Sequence, residues 1–375
     1  YDLTKLIYRL ENPKPPVIGL LSSLPMEGGA PPFAAAMGGA PGTGEPWTVY
    51  DEMTQLFKVQ KLQPDVKVIP KDVDVLMLVH PKGLSKATLY AIDQFVLGGG
   101  RALVFDDPDA EADRPPGGMP FSPPAPQHSD LGPLLQAWGV ALNQNEVVGD
   151  LEQAKKVRFD QDGRLLIRDY PIWMDVPPDQ MDAGDIVTAN LDKVTLASPG
   201  SLTAVKGATT KLTPLLTTGP QAMEYNSAPL AMTDPDGLLK LYHPKGRYTL
   251  AARVTGTVDT AFPDGPPPPP ADAKGKEKAG AAAPAPESDA PPHGKENFFA
   301  GCAAVGRHPS GNRRRGTAKS LLQARSTRFA RTARRVDLLA GKGINRLIAR
   351  RPARCCICEV TDAYRALPRA LLALR

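Results

Sequence analysis

The sequence predicts an α/β protein: an open, mainly parallel sheet with helices on its faces, then a smaller β-rich domain, a disordered linker and a tail. Three observations carry this. Residues 17–23 (VIGLLSS), 73–79 (VDVLMLV) and 101–105 (RALVF) are short apolar runs of the kind that form strands covered on both faces. Segments between them repeat apolar residues at helical spacing, so strands and helices alternate. After about residue 147 the helical period gives way to short alternating segments.

Taken in order, the first strand follows Asn12-Pro13-Lys14-Pro15-Pro16, a sequence that stops any preceding helix. A loop rich in Pro, Gly and Ala spans 24–46. In 47–57, Val49, Met53, Leu56 and Phe57 fall at i, i+4, i+7 and i+8, one face of an amphipathic helix. Residues 58–62 (KVQKL) alternate like a strand near a sheet edge. Ser85 is placed to cap a helix running to 97, with Leu89, Ile92, Phe95 and Val96 on one face. Gly98-Gly99-Gly100 ends it by supplying left-handed backbone geometry. Strand 101–105 closes a β-α-β unit, and a further helix is expected near 130–138. The expected strand order is 2-1-3-4. Strands of the second domain are expected at 155–159, 164–168, 193–197, 211–217 and 247–256.

The expected boundaries are 1–148 for the α/β domain, 149–262 for the β-rich domain, 263–295 for a Pro/Ala-rich linker and 296–375 for an Arg-rich tail. The linker holds Pro266–Pro270 and an Ala/Lys/Glu/Pro stretch that cannot bury enough apolar surface to offset its ordering entropy. Charge marks the last boundary. From Gly301 onward, 18 basic residues, 16 of them Arg, face three acidic ones, a net +15. The preceding part carries 27 basic and 37 acidic residues, a net −10. A shifted reading frame in a GC-rich gene accounts for this switch better than a functional basic tail does.

These features exclude several functions. The four cysteines, Cys302, Cys355, Cys356 and Cys358, all lie in the tail, so no disulfide scaffold, Cys-ligated zinc or thiol nucleophile is expected before it. No apolar run reaches the roughly 18 residues of a membrane span. With Tyr1 in first place and no signal peptide, the chain reads as a piece of a longer one. Arg313–Arg315, Arg334-Arg335 and Arg350-Arg351 could neutralise phosphates, but only Phe329 and Tyr364 offer stacking surfaces beside them. Nucleic-acid binding is therefore not expected, and neither is a cofactor. Gly98–Gly100 lacks the GxxxxGK[ST] spacing of a phosphate loop, so the chain is not expected to be the ATPase of a transporter. No G-x-S-x-G elbow appears, so it is read as a non-enzyme.

The segment VDVLMLVHPKGLSKATLYAIDQFVLGGGRALVFDDP resembles the gliding-motility (GldG-like) auxiliary component of bacterial ABC transporters. KPPVIGLLSSLP, PWTVYDEMTQLFKVQKL, GDIVTANLDKVTLASPGSL and RYTLAARVTG are similar to the same family, which the chain resembles over about 1–262. The resemblance implies a first domain like flavodoxin or class I amidotransferases. It also implies a membrane-associated subunit, extracytoplasmic (periplasmic) in its soluble part, that docks to a permease working with an ATPase. Attachment to the membrane would run through segments outside this chain. The alternative reading is a module binding carbohydrate or cell-wall fragments on a non-catalytic amidotransferase-like fold.

Open α/β sheets bind ligands outside the carboxyl ends of their strands. That position selects Ser22 and Ser23 after the first strand, His80 and Lys82 after the third, and Asp106 and Asp107 after the fourth. Hydroxyls, an imidazole and an ammonium together suit an anionic or sugar ligand. The acidic run Asp106, Asp107, Asp109, Glu111 and Asp113 lacks the register of a calcium loop, and a solvated loop is expected there, with no metal.

Overall fold

The structure, a computed structural model, describes residues 10, 13–28, 45–113, 127–161, 163–268 and 293–301. At its centre is a seven-stranded mixed sheet. The first strand β1 (Val17–Ser22) lies between β2 (Lys58–Lys61) and β3 (Val75–Val79), and β4 (Arg101–Phe105) follows β3. All four are parallel, in the expected order 2-1-3-4. Helix α1 (Thr48–Leu56) connects β1 to β2, and α2 (Lys86–Leu97) connects β3 to β4.

Sequence determines these elements closely. The Ser85 hydroxyl accepts the Thr88 N–H at 3.0 Å, filling one of the donors that a helix start leaves open. At the other end Gly99, not Gly98, takes the left-handed conformation, with φ of 96°. Along β3 the side chains alternate between two cores. Val75, Met77 and Val79 join Ile18, Leu20, Met53 and Leu103 on one face. Leu76 and Leu78 join Leu21, Ile92, Val96 and Val104 on the other. All are buried, and each contributes on the order of 1.5–3 kcal/mol over an exposed position. Helix α3 (Gly132–Ala137) and Trp138 complete the second core.

Beyond α3, the chain adds β5 (Val140–Leu142), β6 (Glu146–Gly149), β7 (Ala154–Gln161), β8 (Arg164–Val176), β9 (Val194–Ala197), β10 (Leu202–Ala204), β11 (Lys211–Thr217), β12 (Met223–Asn226) and β13 (Thr249–Asp259). Helix α4 (Pro235–Lys240) precedes β13. Three small antiparallel sheets result, β7-β8-β9, β5-β10 and β6-β12. At the turn of the β7–β8 hairpin, Gly163 has φ of 76° and donates its N–H to Asp160 Oδ1 at 2.9 Å.

Two expected boundaries do not divide the main sheet. β11 and β13, from the region assigned to the second domain, belong to the same sheet as β1–β4. The join is β14 (His293–Gly301), parallel to β4 (Phe299 beside Leu103) and antiparallel to β13 (Ala251 beside Gly301). The expected linker-to-tail boundary at 295/296 thus falls inside a strand. The short apolar run Phe298-Phe299-Ala300 was obscured by the low-complexity stretch before it. The remainder of the expected linker (269–292) and tail (302–375) lies outside the described residues. No described helix is long and apolar enough to cross a membrane.

Candidate functional site

Register brings most of the expected site residues to one place. Ser22 pairs with Val79, and Val79 with Phe105, so the next row across three parallel strands is Ser23, His80 and Asp106. The His80 N–H donates to the Phe105 carbonyl at 2.9 Å, and His80 then turns away in a left-handed conformation (φ 45°). Histidine tolerates that region better than a β-branched residue would. Ser22 and Ser23 have different tasks. The Ser22 hydroxyl accepts the Leu24 N–H at 3.0 Å and shapes its own turn. The Ser23 hydroxyl accepts the Lys82 N–H at 3.1 Å, tying the β1 loop to the β3 loop.

The His80 ring is buried, 2% exposed, between two partners. Its Nδ1 lies 3.0 Å from Ser129 Oγ, and its Nε2 lies 3.4 Å from Asp113 Oδ2. The Lys82 ammonium donates to that same Asp113 oxygen. Burial pushes the Asp113 carboxyl up, but the His80 imidazole beside it, whose buried Nε2 completes no hydrogen bond at this separation, and the hydrogen bond and charge of Lys82 outweigh burial and hold the group below its usual value.

Asp106 and Asp107 are in the opposite condition. Both are buried, at 2% and 3% exposure, against the expectation of a solvated acidic loop. Neither Asp106 carboxylate oxygen completes a hydrogen bond among the described residues. Burial pushes Asp106 up to about 7; Asp130 adds to this, and the nearby Ser129 hydroxyl and Asp107 N–H only partly oppose it. Asp107 is raised well above the carboxylate range by burial and by the charges of Asp109, Asp106 and Glu111, although its Oδ1 accepts the Asp109 N–H at 3.0 Å. Carboxyls so placed hold protons where exposed ones do not.

Sequence reasoning missed the residues that lock this cluster. The Ser129 hydroxyl, fully buried, accepts the Asp107 N–H at 2.9 Å, and the Ser129 N–H donates to the Asp107 carbonyl at 2.8 Å. Asp130 Oδ2 accepts the Gly83 N–H at 2.7 Å. On the far side of the loop, Glu111 Oε1 accepts from Trp173 Nε1 at 2.7 Å and from the Ser198 hydroxyl. Ser198 is the other described non-glycine residue at positive φ, 50°. The loop after β4 is therefore fastened on one side to the β3 loop and on the other to β8 and β9. Only Asp113 and Glu111 carried a sequence signal, as members of an acidic run.

Ser129, His80 and Asp113 have the connectivity of a nucleophile, base and orienting acid. The hydroxyl is nevertheless sealed from solvent and already accepts a backbone N–H, so it offers no face to a substrate. Among the described residues no group of three or more His, Cys, Asp or Glu is arranged to hold a metal ion.

No curated protein matches the chain. Among solved structures, a ThuA-like protein from Bacteroides uniformis aligns at 12% identity over 64% of this chain and 78% of its own, with a TM-score of 0.32. The family model described as ABC-type uncharacterized transport system, whose name marks auxiliary components, matches residues 15–291. That span contains β1 through β13 and the whole crevice at the carboxyl ends of β1, β3 and β4, and the chain belongs to this family of ABC transport-system auxiliary components.

Proposed function

We propose that the chain is a non-enzymatic auxiliary subunit of an ABC transport system of the gliding-motility type, held outside the cytoplasm and docking to the permease. Family membership over residues 15–291 is the observation that carries this reading. It is supported at the strand ends, where an enzyme built on such a sheet would act. There Ser23, His80, Lys82, Ser129 and Asp113 are engaged with one another, and these contacts tie the described ends of the strand-end loops together. Such an arrangement suits docking better than turnover. The test is co-purification from the native membrane with the permease and ATPase, joined to protease accessibility in spheroplasts. Recovery of the three proteins together, with the chain cleaved from outside, is expected. A chain found alone and protected inside the cell overturns the reading.

One observation favours the ligand-binding alternative, in which carbohydrate or cell-wall fragments occupy the crevice. Both Asp106 oxygens are buried without a hydrogen-bond partner, and sugar hydroxyls could supply the missing donors once the loops that cover this carboxyl part. A thermal-shift screen with oligosaccharides separates the readings, because a ligand for the native state raises Tm by mass action. A shift seen in the natural chain and lost in Asp106→Ala supports the alternative; no shift removes it.

A further inference from the structure

The small sheet β7-β8-β9 has an open edge. Among the described residues β7 pairs only with β8, and β9 covers β8 only from Trp173 to Val176. The outer half of the hairpin is therefore a two-stranded ribbon, and such an edge is a template for another strand. The main sheet blocks its own edges: β2 begins and ends in exposed lysines, while β11 carries Pro214 and two register breaks. On β7, Lys155 is tied to Asp175 at 3.1 Å and Lys156 to Asp169 at 2.7 Å. Arg158 has no such tie among the described residues. Beside it on β8, Leu165 and Ile167 are 75% and 56% exposed.

The two-residue turn makes Gln161 and Arg164 the first hydrogen-bonded pair of the hairpin. Hydrogen-bonded pairs alternate, so Lys156, Arg158 and Asp160 turn their backbone N–H and C=O outward. These residues can pair with an antiparallel copy of β7 in a few registers. With Arg158 opposite Arg158, or Asp160 opposite Asp160, like charges meet on the twofold axis. With Arg158 opposite Asp160, both strands gain an ion pair, and Phe159 meets its own copy on the axis. In that register Asp160 keeps one oxygen for the turn and offers the other to arginine. Within each chain Ile167 lies directly across from Arg158 and Leu165 across from Asp160, so every ion pair is bracketed by two exposed aliphatic side chains.

We propose that the β7 edge is a self-association surface, on which two copies of this chain join antiparallel about a twofold axis to form a continuous β8-β7-β7-β8 ribbon. A closed, self-complementary contact of this kind ends at the dimer and does not grow into a fibre.

The test is sedimentation velocity on the full chain over a concentration series reaching about 50 µM, a range that detects micromolar dissociation constants. The natural chain is expected to dimerise reversibly. R158E sets a glutamate against Asp160, and D160R sets a second arginine against Arg158; each is expected to weaken the dimer at least about tenfold, since like charges directly opposite repel. The double variant R158E/D160R restores opposite charges and is expected to recover most of the affinity. D160R also removes the turn hydrogen bond, and a hairpin defect from that source is not repaired by adding R158E, so recovery isolates the interface. Circular dichroism of each variant checks that it is folded. A natural chain monomeric throughout the range overturns the proposal. So does a dimer indifferent to both single reversals, or a double variant no better than the worse single one.

Discussion

The indole Nε1 of Trp138 donates to Asp93 Oδ1 at 3.1 Å, with both side chains fully buried. The same carboxylate also accepts from the Thr260 hydroxyl and the Ala261 N–H, so one acid joins α2, the end of α3 and the chain leaving β13. Burial raises the Asp93 pKa, and hydrogen bonds from Thr260, Trp138, Ala261 and Gln94 only partly offset that.

Asp93→Ala leaves the buried Trp138 indole and the half-buried Thr260 and Ala261 donors without this acceptor and is expected to cost about 2–5 kcal/mol. Asp93→Asn keeps acceptor capacity through its carbonyl and should cost less. Urea unfolding of both variants measures the difference; equal losses would assign the effect to the second carboxylate oxygen, which faces Thr260 and which both variants lack, and not to packing.

Asp106 gives the fold a pH dependence of definite sign. Its folded pKa, about 7, lies above its unfolded value near 4, so the folded state holds the extra proton between those limits. Stability from this group falls as pH rises from about 4 to about 7, and the penalty is complete above 7. Asp106→Asn, which never ionises, is expected to gain roughly 2–4 kcal/mol over the natural chain at pH 8 and almost nothing at pH 4. Chemical denaturation at both pH values checks it.

Asp113 acts in the opposite sense. Its pKa is lowered in the folded state, so its contribution is present above the unfolded pKa and is lost as acid protonates the folded group. Asp113→Asn is expected to cost about 1 kcal/mol at pH 7, since the pair with Lys82 is partly solvated, and to cost nothing near pH 2. Lys82→Met should move the Asp113 titration upward, measurable by carboxyl NMR.

A chain ending at residue 268 lacks β14 and leaves β4 and β13 without partners on facing sides. It is expected to aggregate or to lose cooperative unfolding, whereas a chain ending at 301 should unfold in one transition. Thermal scans with light scattering distinguish them.

Much of this was legible. Near-continuous apolar runs marked β1, β3 and β4, and Ser85 with Gly98–Gly100 bounded α2, because each signal is local. The rule that ligands lie beyond the carboxyl ends of parallel strands selected Ser23, His80 and Asp106, which register does align. What was hidden depends on distant pairing. Ser129 reaches His80 across 49 residues of sequence, from a loop without any motif. Trp173 reaches Glu111 from a different sheet. β14 pairs with β4 across nearly two hundred residues, and its nine residues follow a composition that hides a strand.

The position of β14 has a consequence for the order in which the protein is made. A ribosome delivers β1 through β4 early and β11 and β13 later, yet the strand that unites them leaves after all of these. Until residue 301 has emerged, two rows of backbone donors and acceptors in the middle of the sheet have no partner and invite the wrong one. The nascent chain must therefore wait with its central seam open, and its dependence on chaperones should be greatest at that stage of synthesis.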